Sequence, residues 1–76
     1  MTSVEIVKEL AGFKGEACLV RRADEYFVVS SVDAYSGFET LAFPADSDGK
    51  VVDWGEVAGG RGVFRDEVIA ELAASA

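Results

Sequence analysis

The chain has 76 residues, half of them hydrophobic, and 14 acidic against 7 basic side chains give a formal net charge of −7. A single domain with a thin core is expected, because a chain this short buries only roughly 60% of the surface its unfolded form exposes. The composition excludes a disordered chain, which would be poorer in Val, Leu and aromatics. The acid excess weighs against binding nucleic acid, which needs Lys and Arg to displace counterions from phosphates, and for the same reason against anionic membranes.

Thr2 to Ala11 reads as a short helix. Thr2 and Glu5 fit a capping box, Val4, Val7 and Ala11 share a side with Ile6 and Leu10, and Gly12 is the expected stop. Glu16–Arg22 and Tyr26–Tyr35 read as two strands joined by the polar Ala23-Asp24-Glu25, an antiparallel hairpin. In the second strand both parities carry apolar and aromatic residues, so it is expected at the centre of the sheet with both faces covered. Ser36-Gly37-Phe38 is a turn. Thr40–Phe43 is a third strand with Leu41 and Phe43 on one face, and Pro44 ends it or sits at an edge. Asp46-Ser47-Asp48-Gly49 is a turn whose glycine takes positive φ. Val51–Trp54 is a fourth strand, Ala58–Gly62 a flexible link, and Phe64–Ala74 a helix with Phe64, Val68 and Leu72 on one stripe. The fold class is α+β: an antiparallel sheet of three to four strands with an N-terminal and a C-terminal helix packed on it.

Cys18 is the sole cysteine and histidine is absent. No internal disulfide can form, and a nucleophilic thiol would lack an imidazole base. Cys18 sits in the apolar run Ala-Cys-Leu-Val, where it is expected to act as a small buried hydrophobe. The opening Met-Thr-Ser-Val-Glu, with Glu5 and Glu9 and no long apolar stretch, leads to the expectation of no signal peptide, no membrane span and a reducing cytoplasm.

Three segments suggest chemistry. Asp46, Asp48 and Asp53 hint at a cation loop, but setting Asp46, Asp48 and Gly49 on EF-hand positions 3, 5 and 6 puts Pro44 at position 1 and Gly55 at position 12, and neither supplies a carboxylate. Gly59-Gly60-Arg61-Gly62 before a helix suggests an anion cradle, but matches neither the P-loop nor the dinucleotide fingerprint. Paired carboxylates for acid–base work cannot be chosen among so many acids. No catalytic residue, cofactor or metal ion is expected. Phe38, Phe43, Trp54 and Tyr35 cluster around Glu39–Val57, and so small a domain can hardly enclose all its aromatics, so some are expected at an interface.

The segments Glu39-Thr40-Leu41-Ala42-Phe43-Pro44-Ala45-Asp46 and Gly49-Lys50-Val51-Val52-Asp53-Trp54-Gly55-Glu56-Val57 resemble a pattern in small uncharacterised proteins of phages that infect actinobacteria. There Glu-Thr-Met/Leu-x-Phe precedes an acidic turn with Gly, then Val, an aromatic and an acidic-hydrophobic ending. The match covers about a quarter of the chain. The resemblance implies a small phage accessory protein acting in a bacterial cytoplasm and carries over no catalytic residues.

The expectation is a non-enzymatic interaction protein that binds and modulates a host or phage protein. Phe38, Phe43, Asp46, Asp48, Asp53, Trp54 and Arg61 are the candidate contact residues. The alternatives are a self-assembling homo-oligomer, in the simplest case a homodimer, and an acidic mimic of nucleic acid.

Overall fold

The computed structural model describes residues 3–10, 17–34, 37–62 and 64–74, with the backbone alone for 32–34, 37, 38 and 59–61. Five strands, β1 Val4–Leu10, β2 Ala17–Arg22, β3 Glu25–Ala34, β4 Gly37–Ala45 and β5 Gly59–Gly62, precede one helix, α1 Arg65–Ala74. The strands form a single antiparallel sheet in the order β1-β2-β3-β4-β5, each beside its neighbour in sequence. The fold is α+β.

The expected N-terminal helix is a strand. Val4–Leu10 pairs with β2, with a bulge between Ile6 and Lys8. A bulge inserts one residue into a period of two. The apolar positions then fall at Val4, Ile6, Val7 and Leu10, a spacing that imitates a helical stripe. Thr2, Ala11 and Gly12, the expected cap and stop, lie outside the described residues, as do Glu16, Tyr35 and Ser36 at expected strand ends and turns.

The β2–β3 hairpin closes through Ala23 and Asp24, with Arg22 opposite Glu25. Ala23 adopts φ 53°, and no other described residue apart from Gly49 has a positive φ. β3 is central, and Phe27, Val28, Val29 and Ser30 along it are all buried, so both of its faces are covered. Pro44 lies within β4 rather than ending it, opposite Phe27. Its carbonyl accepts from Val52 N at 3.0 Å, so its missing N–H faces the same side, beyond the last rung of β4 with β5 at Ala42 and Gly59. That stretch of β4 is edge-like, where proline costs no ladder bond.

Two further expectations are corrected. Val51–Trp54 is not a strand: only Val51 bridges, to Ala45. The glycine-rich link is β5. Ala58 N donates to the Ala42 carbonyl at 2.8 Å and lays the chain beside β4. A Cβ on Gly62 would stand 2.9 Å from the Glu67 Cβ, so glycine there lets strand and helix approach.

Rungs across the sheet separate its faces. Cys18, Val29 and Ala42 share a row, as do Val20, Phe27 and Pro44. Val68 and Leu72 of α1 pack on Cys18, Val20, Phe27, Val29 and Ala42, with Val4, Ala58 and Ile69 at the margin. Phe64, expected on that stripe, is 69% exposed and stands before the first helical turn. Its N–H donates to Glu67 Oε1 at 3.1 Å. No basic residue lies in the last turn of α1, and Arg22 of β2 takes that place, donating from Nη1 to the Leu72 carbonyl at 2.9 Å. A cation there complements the negative end of the helix dipole. At the other end Arg65 Nη1 meets Glu9 Oε1 at 2.7 Å, tying α1 to β1.

Candidate functional site

The second face of the sheet positions the acidic segment. Leu19, Val28 and Phe43 form one row on this face, and these three together with Ala17 and Leu41 are buried. Among the described residues no helix lies on them. The loop from Asp46 to Val57 folds back instead, and a Cβ on Gly49 would lie 3.2 Å from Leu10 Cδ2 and 3.7 Å from Leu19 Cδ2. Gly49, at φ 89°, therefore presses backbone directly onto the apolar row.

Two aspartates shape this loop. Asp46 Oδ1 accepts from the backbone N–H of Asp48 and of Lys50, both at 3.0 Å, while Gly49 N donates to the Asp46 carbonyl at 3.1 Å. Asp53 Oδ1 accepts from Gly55 N at 2.8 Å. Short polar side chains that bond their own backbone two residues on are the usual fasteners of such turns. Trp54, inside the Asp53 turn, lies on Phe43, with ring centroids 4.9 Å apart and planes tilted by 57°, a geometry aromatic pairs favour.

The seven candidate contact residues separate accordingly. Phe43 is 3% exposed and belongs to the core, where it backs the Trp54 ring. Asp46 and Asp53 hold the turns. Asp48 is exposed, and Trp54 is 54% exposed. Phe38 and Arg61 lie on β4 and β5, and their side chains are outside the described set. Val52, 65% exposed, and Val57 join Trp54 on the loop and were not expected there. Their signal was the pair of Asx turns, which breaks the alternation that would otherwise bury Val52.

The remaining chemistry is sparse. Cys18 is buried, and desolvation pushes its thiol pKa above the ordinary value, only partly countered by the charge of Arg65. A thiol held protonated is a poor nucleophile. Among the described residues no group of His, Cys, Asp and Glu could hold a metal ion. A cleft of about 200 Å³ lies between Ser3, Glu5, Arg21 and Ala23, and the Glu5–Arg21 ion pair supplies its charge. No helix among the described residues is long and apolar enough to cross a membrane. Comparison of the chain with protein-family models, curated proteins and solved structures finds no match.

Proposed function

We propose that the chain is a non-enzymatic binding module that docks on a protein partner through the loop from Asp46 to Val57. The observation that carries this reading is the joint exposure of Val52, Trp54 and Val57 on a loop fastened by the Asp46 and Asp53 turns. Such a surface is ordered before it binds, so association costs little further ordering, and a half-exposed tryptophan seated on a buried ring is the kind of anchor that dominates interfaces. Residues 39–57 hold five acids and one lysine, −4 of the total −7, a field that speeds encounter with a basic partner. The resemblance of this same segment to phage proteins supports an accessory role in a bacterial cytoplasm, on a host or phage protein. The absence of histidine and the burial of Cys18 support a role without catalysis.

Affinity capture from the lysate of an actinobacterial host tests it. Wild type retains a protein that Val52→Asp and Asp48→Lys each release, while both variants melt at the wild-type temperature. Retention of the same protein by both variants, or of none by wild type, removes the loop from the function.

A further inference from the structure

The outer edge of β1 carries a second, independent surface. β1 ends the strand order, and among the described residues no strand pairs with its outer side. Such an edge presents backbone N–H and C=O groups as a template for another strand. Ile6 and Val7 at its middle are each 46% exposed. We propose that β1 pairs antiparallel with β1 of a second copy of this chain, in the register that sets Glu5 opposite Lys8 of that copy.

The bulge decides the register. Val4 and Ile6 lie opposite Arg22 and Val20, and Glu9 opposite Cys18. Val20 and Cys18 belong to the helix-side core, so Val4, Ile6 and Glu9 face α1. Glu5, Lys8 and Leu10 lie opposite Arg21, Leu19 and Ala17, on the other face. In a regular strand, residues three apart point to opposite faces; the extra residue at Val7 brings Glu5 and Lys8 to one face.

Two antiparallel edges of identical sheets meet about a two-fold axis normal to the sheet, which preserves faces. A register centred on Val7 would set Glu5 against Glu9, mismatched in face and alike in charge. One centred on Ile6 would set Val4 against Lys8, again mismatched in face. Registers centred on Glu5 or on Glu9 match faces but set that acid against itself. Two longer registers also match faces. The first sets Glu5 against Leu10 and Ile6 against Glu9, apolar against acid each time. The second, centred between Ile6 and Val7, sets Val4 against Glu9 at either end but Glu5 against Lys8 twice and Ile6 against Val7 twice, and alone among the face-matched registers it brings opposite charges together. Opposite charges and apolar pairs facing each other stabilise a ladder, and like charges oppose it. The charges that guard this edge against most pairings thus leave this one open.

Light scattering on the full chain tests the pairing. Wild type gives twice the 8.1 kDa of one chain, falling to one-chain mass on dilution. Lys8→Glu alone and Glu5→Lys alone each give one-chain mass. Mixing the two variants in equal amounts restores the doubled mass, because every charged pair across the axis is again acid against base. Circular dichroism matching wild type shows that each variant folds, and amide exchange within Val4–Leu10 slows with concentration in wild type and not in Lys8→Glu. One-chain mass for wild type at every concentration overturns the proposal, as does a dimer that survives either single variant or a mixture that stays monomeric. None of these outcomes bears on Val52 or Asp48, so the loop reading stands or falls separately.

Discussion

At the β2–β3 turn, Ala23 holds φ at 53°, a region where an L side chain crowds its own backbone at a cost of about 1–2 kcal/mol. Glycine removes that crowding but loses more freedom on folding, by roughly 0.5–1 kcal/mol. The crowding is the larger of the two. Ala23→Gly should therefore stabilise the chain by about 0.5 kcal/mol, read as a higher urea midpoint with an unchanged slope. A lower midpoint would show that the turn carries no strain. Arg22, beside it, is the more consequential neighbour. Besides the helix carbonyl it reaches Glu25 Oε1 at 3.1 Å, and its guanidinium lies 5.0 Å from the centre of the Phe27 ring. One side chain thus joins hairpin, core and helix end.

The start of α1 is half of a capping box. Glu67 reaches back to the Phe64 N–H, yet Phe64 offers no side-chain oxygen in return. Phe64→Ser completes the reciprocal pair, and a cap of this kind contributes about 1 kcal/mol. The variant should melt about 4–8 °C higher; a lower melting temperature would mean that the exposed ring packs on something. The element also illustrates what its sequence made legible. Val68 and Leu72 at helical spacing, with Asp66 and Glu67 in the first turn, marked α1 to within a residue of its bounds. Phe64 had the right spacing but sits before the turn that would orient it inward. β2 and β3 were legible from β-branched and aromatic runs, and β4 only over Thr40–Phe43: Gly37 and Phe38, expected in a turn, pair with Ala34 and Asp33 and belong to the strand. β1 was not, because one bulged residue converted its alternation into an apparent helical stripe. β5 was not, because a run of Gly-Gly-Arg-Gly has no side-chain pattern to read, and its place is fixed by Ala42 and the helix it leads into. In the candidate site, the acid of the loop was legible from composition. The division of labour between Asp46, which bonds the backbone, and Asp48, which faces water, depends on the turn's own hydrogen bonds.

For the molecule as a whole, the high apolar content follows from a sheet buried on both faces, with α1 on one of them. The second face relies on the loop from Asp46 to Val57, whose contact with Leu10 and Leu19 runs through Gly49 backbone and whose contact with Phe43 runs through Trp54. Backbone bonds from Asp46 N to the Lys50 carbonyl and from Val52 N to the Pro44 carbonyl hold the base of the loop, and the Asp46 carboxylate with its two N–H donors fixes the turn over the apolar row. Asp46→Ala leaves both donors to water and frees the turn, at about 1–2 kcal/mol. Asp48→Ala, at an exposed position, changes stability by less than about 0.5 kcal/mol. Asp46→Ala should also bind a hydrophobic dye more strongly than wild type, since loosening the turn uncovers Leu19 and Phe43, whereas Asp48→Ala should not. Equal melting temperatures for the two variants would mean that the apolar row, and not the aspartate turn, holds the loop down. The binding surface on its outer side would then be shaped by Trp54 and Phe43 alone.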